Sequence, residues 1–325
     1  MANIREIAKL AGVSVATVSR VLNHYPYVKE EKRQAVWKAV EKLNYTKNIN
    51  AVHLAKGKTS IIGVILPYVN HPYFSSIVDG ISQEALRHGY HLLLFQTNYD
   101  VQKELEALEM LRVKQVDGLI ICSRTISWEM LKLYQEDGPI ILCEDTTGCE
   151  MSSVSIDHYE AFMLGMNYLI AKGHRKIGYC IGRTSGTNSE RRDAAYRDAL
   201  QNIDTVPREE WIFDRCLEIA DGARVVKALL SMEDKPTALL VASDQVAAGI
   251  VLWGQKNGLQ VPENLAIVSF DNHPIAEALG ITTVDLPLLS MGQKAFQLIH
   301  DCFIGKTTTN QNEQLPVRLI ERFSV

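Results

Sequence analysis

The first residues of the chain constrain its fold more than any other stretch. Ile4–Asn23 reads IREIAKLAGVSVATVSRVLN, in which two short segments with apolar residues at helical spacing are separated by Gly12, Val13 and Ser14. Three residues leave room only for a tight turn between packed helices. Gly12 is a favourable helix stop, and the hydroxyl of Ser14 can cap the first turn of a second helix. The stretch therefore predicts a helix-turn-helix.

The second of these helices has an outer face that suits DNA. If Val18, Val21 and Leu22 pack inward, helical spacing turns a different set of side chains outward. That outward set is Val15, Ala16, Ser19, Arg20 and Asn23. An arginine can donate two hydrogen bonds to guanine, and small apolar groups beside it can contact a thymine methyl. A solvated two-helix hairpin without a DNA-binding function is the alternative.

The distribution of charge favours DNA binding over that alternative. Residues 1–60 hold eleven Lys and Arg against four Glu, a net charge of +7. The whole chain has a formal net charge of −4, so residues 61–325 carry −11. A basic segment joined to an acidic body indicates that one end of the chain meets the phosphate backbone of a nucleic acid.

Length and composition predict several domains and no membrane span. A chain of 325 residues exceeds what one core usually organises, so two or three domains are expected. No run approaches the ~18 uncharged apolar residues of a membrane span, and charges stand where a signal peptide would be apolar, so we expect a cytoplasmic location. The six cysteines show no metal-ligand spacing, and His88 and His91 read as solvated loop histidines. Buried reduced thiols are therefore expected, with no metal and no cofactor.

One more helix and a linker follow the helix-turn-helix. Val36, Val40 and Leu43 fall at helical spacing within Glu30–Asn44 and can close a small core against the first two helices. The segment Tyr45–Ser60 is polar and indicates a linker, in which one or two helical turns would need a partner to be stable.

Beyond the linker, apolar strands alternate with amphipathic helices. The predicted strands are Ile61–Leu66, His91–Phe95, Gly118–Cys122, Ile140–Cys143, Val154–Ile156, Ile177–Ile181, Ala238–Ala242 and Ala266–Phe270. Continuous apolar strands between helices indicate parallel sheets buried on both faces, and the repeat of the pattern indicates two similar lobes. A shorter helix is predicted over Ser127–Glu136. The last helix, Leu288–Phe303, and the last strand, Leu315–Glu321, can cross back between the lobes.

Six segments in this order resemble the lactose/galactose repressor (LacI/GalR) family of bacterial transcription regulators. They are IREIAKLAGVSVATVSRVLN, VDGLII, KGHRKIGYCIG, VASDQVAAG, VSFDN and the terminal LPVRLIERFSV. The resemblance implies an all-α helix-turn-helix headpiece, a hinge helix, and an α/β two-lobed core like a periplasmic binding protein, with two doubly wound parallel sheets. The implied domains are residues 1–46 for the helix-turn-helix, 47–60 for the hinge helix and linker, 61–157 plus about 288–317 for the N-terminal lobe, and 158–287 plus about 318–325 for the C-terminal lobe. A homodimer in the bacterial cytoplasm, held at the nucleoid by DNA, is also implied.

The resemblance assigns roles to residues of the headpiece. Val15, Ala16 and Arg20 fall on the family's base-reading positions, and Val-Ala with Arg resembles members whose half-sites begin with TG. We therefore predict an operator close to TGNAANCGNTTNCA, a pseudo-palindrome read by two copies of the recognition helix. Positions that resemble phosphate contacts are Ser14, Thr17, Ser19, Asn23 and Tyr45.

The hinge resembles the family less closely than the headpiece does. Leu54 falls where the family places a leucine wedge, which paired hinge helices insert at a central CG step of the minor groove. Lys47 replaces the proline that usually precedes the hinge, and Val52 replaces the usual arginine. The hinge could order less readily, or it could gain attraction to the DNA backbone through Lys47; the sequence leaves both open.

The resemblance also points to an effector cleft between the lobes. The implied contacts are Tyr73, Phe74, Ser123, Glu144, Asn188, Arg192, Ser243 and Asp271. They fall at the ends of strands or the starts of helices, where doubly wound sheets bind ligands. Arg192 and Asp271 form a donor–acceptor pair suited to vicinal hydroxyls, and the two aromatic residues offer an apolar face to a sugar ring. Leu217 stands where some relatives have a stacking aromatic, which argues against a purine and favours a sugar or sugar derivative. Singly, Asp271 could instead cap a turn with Asn272, and Arg192 could form a surface ion pair.

These expectations describe a repressor whose operator affinity a small effector controls through lobe closure. A partner protein, such as a phosphorylated carrier, could control the same fold instead. An enzyme with a fused DNA-binding head, using Glu144, Asp157 or Asp271 as catalytic acids, is a further alternative. No nucleophile, metal set or cofactor loop accompanies these acids, so a non-enzymatic regulator is predicted. The basic head and the missing signal peptide argue against a transport component.

Overall fold

The structure, a computed structural model, describes residues 3–46, 57–146, 148–306 and 310–325. The chain forms two compact units, Met1–Thr59 and Ser60–Val325. The hinge positions Lys47, Val52 and Leu54 lie outside the described residues.

The first unit contains the predicted helix-turn-helix and a third helix. Its helices are α1 (Ile4–Ala11), α2 (Val15–Leu22) and α3 (Glu30–Lys42). Gly12 ends α1 in the left-handed conformation, with φ 66°, and Ser14 Oγ caps α2 by accepting a hydrogen bond from the backbone N–H of Thr17 at 3.2 Å. The buried core is Ile7, Ala8, Val18, Val21, Val36 and Ala39. The helix-turn-helix is therefore confirmed, and the third helix ends two residues earlier than predicted.

The second unit has two lobes, each built on a six-stranded sheet. The first sheet contains β1 (Ile61–Leu66), β2 (His91–Gln96), β3 (Gly118–Ile121), β4 (Ile140–Leu142), β5 (Ser152–Ile156) and β11 (Asn312–Leu315). The second contains β6 (Ile177–Cys180), β7 (Ile212–Phe213), β8 (Ala238–Val241), β9 (Ala266–Phe270), β10 (Thr282–Asp285) and β12 (Arg318–Ile320). The strand orders are β11-β5-β4-β3-β1-β2 and β12-β10-β9-β8-β6-β7, and only the pairing of β10 with β12 is antiparallel.

Helices cover the faces of both sheets, as the continuous apolar strands require. They are α4 (Pro72–Arg87), α5 (Val101–Arg112), α6 (Trp128–Lys132), α7 (His158–Ala171), α8 (Thr187–Gln201), α9 (Ile219–Ser231), α10 (Asp244–Lys256), α11 (Pro274–Ala278) and α12 (Leu288–Phe303). The predicted fold class, a helix-turn-helix followed by a two-lobed α/β core with two mostly parallel sheets, is therefore confirmed.

Glycines allow one pair of helices in each lobe to approach closely. A Cβ atom at Gly80 of α4 would lie 2.1 Å from the carbonyl oxygen of Leu289 in α12. In the other lobe, a Cβ atom at Gly249 of α10 would lie 2.1 Å from the carbonyl oxygen of Ile219 in α9. Because a packed interior leaves no room for these atoms, glycine at these positions allows α4 to pack closely against α12, and α10 against α9. Both helices begin at the edge of the sheets where the cleft lies.

The C-terminal part of the chain differs from the sequence prediction. The single last strand predicted over Leu315–Glu321 is wrong, because the segment contributes to two strands, β11 and β12, one in each sheet. Pro316 lies between them and has no N–H to donate to a ladder. The chain thus passes between the lobes three times: from β5 to α7, from β10 to α12 and from β11 to β12.

Two smaller predictions also fail. The helix predicted over Ser127–Glu136 is only α6, because the chain leaves the helix after Lys132 and the Tyr134 hydroxyl donates to Glu109 Oε1 at 2.6 Å. The strand β10 was not predicted, because its sequence, Thr-Thr-Val-Asp, carries little apolar signal although its first three residues are buried.

Candidate DNA-binding surface and ligand cleft

The recognition helix α2 has the two faces that the sequence predicts. Val18 and Val21 are fully buried, whereas the side chain of Val15 is 42% exposed. Ala16 and Arg20 are exposed as well. The three predicted base-reading residues therefore share one solvent-facing surface of a helix whose opposite face is anchored in the core, the arrangement that major-groove reading requires.

The residues predicted to contact phosphates surround this helix. The hydroxyls of Ser14 and Thr17 lie 2.9 Å apart at its start, and Asn23 Nδ2 donates to Ser19 Oγ at 3.5 Å at its end. Tyr45 packs partly buried against the headpiece core. These polar groups frame the recognition helix, where phosphate contacts would orient it without reading sequence.

An exposed aromatic loop follows the recognition helix, and the sequence analysis did not assign it a role. Tyr27 is 89% exposed, and its ring meets that of Tyr25 edge-on at 6.2 Å. Arg33 Nη2 donates to the backbone oxygen of Tyr25 at 3.1 Å, which ties the loop to α3. The signal was the sequence Tyr25-Pro26-Tyr27, because two tyrosines around a proline in a polar loop have no core to join.

A cavity of about 120 Å³ opens where the carboxyl ends of strands from both sheets face each other. The lining residues are Tyr68, His71, Tyr73, Phe74, Tyr99, Cys122, Ser123, Gly182, Arg183, Asn188, Ser189, Arg192, Cys216, Leu217, Ala242 and Ser243. The structure thus brings together the predicted contacts Tyr73, Phe74, Ser123, Asn188, Arg192 and Ser243.

Tyr73 and Phe74 form an aromatic wall at the start of α4. Their rings meet edge to face with centroids 5.0 Å apart. The hydroxyl of Tyr73 is buried and has no hydrogen-bond partner among the described residues. Burial raises the pKa of this hydroxyl above its usual value, so it is a neutral donor. An unsatisfied buried donor beside a cavity is a group that a ligand oxygen can satisfy.

Arg192 lies between neutral partners on α8. Its Nη2 atom is 3.2 Å from Nδ1 of His158. Burial, and then the positive charge of Arg192, lower the pKa of His158 well below its usual value, so this ring can accept the hydrogen bond. The same two causes, in the same order, lower the pKa of His71 to about 4. Arg192 therefore keeps its charge for the cavity while the nearby imidazoles stay neutral.

Glu144, one of the predicted effector contacts, does not line the cavity. Its Oε1 atom lies 3.3 Å from Nε of Arg124, and both side chains are less than 10% exposed. The angle between them does not make a hydrogen bond, and both atoms lack one. Burial raises the pKa of Glu144 to about 7, against the opposing effects of Arg124 and then Arg183. Burial thus favours the protonated form of this acid, and the two arginines offset that effect only in part.

Asp271, the other predicted contact outside the cavity lining, follows β9 in an unusual conformation. Asp271 and Asn272 have φ of 101° and 53°, the left-handed region that most residues avoid. Asp271 faces a neighbouring pocket that Pro72, Pro287 and Leu288 also line. Burial raises the pKa of Asp271 well above its usual value, helped by Asp244 and opposed by Arg192.

Asp244 holds this loop in place, and the sequence analysis gave it no role. Its carboxylate accepts hydrogen bonds from the Ser269 hydroxyl, from the Thr283 hydroxyl at 2.8 Å and from the backbone N–H of His273 at 2.6 Å. Burial nevertheless raises its pKa to about 6. Asp244 of the motif VASDQ is therefore a structural acid next to the cavity-lining Ser243. The sequence does not reveal this role, because the three partners of Asp244 lie 25 to 39 residues further along the chain.

The cysteines and His88 form no metal site among the described residues. All six cysteines are free; Cys122, Cys143, Cys180 and Cys216 are buried, and Cys149 and Cys302 are partly buried. His88 is exposed in the turn after α4, as expected for a solvated loop histidine, and the centroid of its ring lies 4.1 Å from that of His300. Within the described ranges, no cluster of three His, Cys, Asp or Glu side chains is arranged to hold a metal ion. No helix of the described residues is long and apolar enough to span a membrane.

A basic helix-turn-helix unit and a two-lobed core with a cleft between its sheets define a DNA-binding regulator with a periplasmic-binding-protein-like core. Comparison with known families agrees. The model described as "Bacterial regulatory proteins, lacI family" matches residues 3–48, and that described as "Periplasmic binding proteins and sugar binding domain of LacI family" matches residues 59–323. The chain belongs to the LacI family of transcriptional regulators.

Similar proteins support the same assignment. The chain is 48% identical over 325 residues to the uncharacterized HTH-type transcriptional regulator YkvZ of Bacillus subtilis (strain 168), covering all of both chains. It is 40% identical to the NTD biosynthesis operon regulator NtdR of the same organism, again over all of both chains. Among solved structures, the Lac repressor bound to ONPG in the repressed state matches with a TM-score of 0.84 at 25% identity, over 100% of this chain and 99% of that one.

Proposed function

We propose that the protein binds a pseudo-palindromic operator as a homodimer, as a repressor whose affinity changes when a sugar or sugar derivative enters the cleft. The observation that carries this proposal is the lining of the cavity, which combines an aromatic wall, hydroxyls, an amide and arginine. Sugars offer apolar ring faces and vicinal hydroxyls, which match these two kinds of group. The protein would act at the bacterial nucleoid without enzymatic activity.

The operator would resemble TGNAANCGNTTNCA. Arg20 would bind a guanine edge, while Val15 and Ala16 would contact thymine methyl groups. Leu54 would enter the minor groove at the central CG step. The exposure of all three base-reading side chains on one face of α2 supports the first part of this proposal.

Exposed apolar residues along the edge of the first lobe offer a dimer surface. Leu93 and Leu94 stand out from β2, an edge strand of its sheet, and Leu86 of the adjacent α4 is 81% exposed. In the second lobe, Leu252 and Trp253 of α10 are exposed in the same way. Apolar groups of this size on an open sheet edge favour association of two copies.

Names of relatives also support a sugar-like effector. One matched Lac repressor structure is described as bound to ONPG. A LacI family regulator from Lactobacillus casei, 26% identical with a TM-score of 0.74 over 82% of this chain and 99% of that one, is described with bound glucose.

Two of the three acids that an enzyme could use, Asp157 and Glu144, are engaged in other interactions, which supports a non-catalytic role. Asp157 caps α7 by accepting from the backbone N–H of Tyr159 at 2.9 Å and pairs with Arg191 at 2.9 Å. Glu144 faces Arg124, and Asp271 faces a separate pocket.

The test is a fluorescence-anisotropy titration of labelled duplexes with the full chain. We expect a duplex with the sequence TGNAANCGNTTNCA to bind at least tenfold more tightly than a scrambled one, and one or more sugars to shift that curve. By linkage, the same sugar must bind more or less tightly by the same factor when operator is present. Specific DNA binding that no small molecule moves would favour control by a partner protein instead, and equal binding to both duplexes would contradict the operator.

A further inference from the structure

The ligand cavity has an unbalanced charge. Of the described residues, those that line it with an ionised side chain are Arg183 and Arg192, and no carboxylate of the described residues lines it. His71 also lines it but is neutral at physiological pH, because burial and Arg192 lower its pKa to about 4. A cavity that binds only a neutral sugar has no need of a second cation.

Of these two arginines, Arg183 has no ion pair or hydrogen bond with another described residue. It follows β6, and its guanidinium carbon lies 3.8 Å above the centroid of the Tyr99 ring. Among the described residues, this stacking is its only direct contact of a polar kind: no hydrogen bond or ion pair involves its guanidinium. The Tyr99 ring holds the guanidinium flat and leaves its N–H groups available to a ligand.

The nearby acids do not neutralise Arg183. Glu144 is close enough for Arg183 to lower its pKa, but its carboxylate oxygen lies 3.3 Å from Nε of Arg124, and Glu144 does not line the cavity. Asp271 instead acts on Arg192 and Tyr73. The positive charge of Arg183 is therefore directed into the cavity.

Helix N-termini add to this positive potential. The cap of α8 is Gly186, which has no side chain to satisfy the first backbone N–H groups, and the cavity-lining residues Asn188 and Ser189 lie in this first turn. The helices α4 and α10 begin at the same cavity, with Tyr73 and Ser243 in its lining. Three helix N-termini around one cavity favour an anion.

We propose that the effector is a sugar carrying an anionic group, a phosphate ester or a carboxylate, and that Arg183 binds this group. Arg192 and Asn188 bind the hydroxyls, and the aromatic wall of Tyr73 and Phe74 holds the ring. This inference rests on the proposed function, because it names the chemical class of ligand for the same cleft. Arg183 is the residue that sets the specificity for charge.

Matched ligands and a matched pair of variants test the proposal. The full-length protein, its Arg183→Gln and Arg183→Lys variants, and Arg208→Gln as control are titrated calorimetrically and in the operator-binding assay. Arg208 is a suitable control because its ion pairs are with Asp234 and Glu210, away from the cavity lining. The ligands are glucose, galactose and fructose, their 6-phosphates, glucuronate, galacturonate, glucosamine and inorganic phosphate.

We expect at least one phosphate ester or uronate to bind at least tenfold more tightly than its neutral parent. Arg183→Gln should weaken the binding of that ligand by roughly ten- to a hundredfold, because a charge-assisted contact is lost. It should change the affinity for the neutral parent less than about threefold. Arg183→Lys should retain part of the preference, and Arg208→Gln all of it. Comparison of phosphates with uronates tells which anion is preferred, and inorganic phosphate tells whether the anionic group binds without the sugar.

The other outcomes separate this proposal from the proposed function. A neutral sugar or glucosamine could bind most tightly, shift the operator-binding curve and keep its affinity in Arg183→Gln. This result would overturn the proposal of an anionic effector and would leave the proposal of a sugar-controlled regulator intact. If no compound of the panel binds or shifts the operator curve, the sugar effector and the anionic class fall together.

Discussion

The headpiece and the cleft each present an arginine to a partner, but they build the surface around it in different ways. Arg20 shares its surface with Val15 and Ala16 on one helix, so a single helical period decides which side chains meet the partner. Arg192 and Tyr73 line one cavity only because two sheets bring their carboxyl ends together. A binding surface made within one helix depends on local order, whereas one made between lobes depends on the whole topology.

The largest expected effect tests whether the two regions are separable. Val18→Asp places a carboxylate in the fully buried position of a core of six residues, and a buried unpaired charge destabilises by about 4 kcal/mol or more. We expect the headpiece to unfold and operator affinity to fall more than about a thousandfold, with the thermal transition of the two-lobed core unchanged in calorimetry. Leu10→Asp, at a side chain 44% exposed, is the control that keeps the headpiece folded. A core transition that moves with Val18→Asp would break the separation.

Arg20→Ala sharpens the comparison by removing one contact and not the fold. Loss of a guanine contact weakens discrimination by about 1–3 kcal/mol in each half-site, so a dimer would lose roughly 2–6 kcal/mol for the specific duplex. Affinity for scrambled DNA should fall far less. Ser19→Ala, beside it, removes a predicted phosphate contact and the hydrogen bond from Asn23, and should weaken binding to both duplexes equally. If Arg20→Ala weakened both duplexes alike, Arg20 would be a phosphate contact and the base-reading role would be wrong.

The same contrast explains how far the sequence could go. The faces of α2 follow from helical spacing and two caps, and both caps, Gly12 and Ser14, stand where the sequence predicts them. In the cleft, six of the contacts that the family resemblance implies line the cavity. No pattern along the chain could reveal that Arg124 lies against Glu144, or that Arg183 has no ionic partner among the described residues, because those facts depend on segments joined only by folding.

Glu144 provides a test that belongs to the core alone. Its pKa is about 7 in the folded chain against 4.5 for an ordinary glutamate, so the folded state keeps a proton that the unfolded state has released. Stability from this group is present at pH 4.5 and below and is lost as the pH rises to about 7, by up to about 3 kcal/mol.

The Glu144→Gln variant should lack this loss. Its melting temperature, relative to the parent, should therefore rise between pH 5 and pH 8, and exposed Glu136→Gln should follow the parent. The pH dependence of headpiece stability should be untouched. Parallel curves for the parent and Glu144→Gln would mean that Arg124 outweighs burial and keeps the carboxylate ionised at low pH.

The smallest expected effect separates what the cleft needs for stability from what it needs for binding. The hydroxyl of Tyr73 is buried with no hydrogen-bond partner among the described residues, so Tyr73→Phe removes an unsatisfied polar group and should stabilise the ligand-free core by about 1 kcal/mol. If the hydroxyl donates a hydrogen bond to a ligand oxygen, the same change should weaken effector binding by about three- to tenfold. Opposite signs for stability and affinity are the signature of a group kept for a ligand. A Tyr73→Phe variant that is less stable than the parent and binds the effector equally tightly would contradict this role, because the hydroxyl would then stabilise the fold and not the bound ligand.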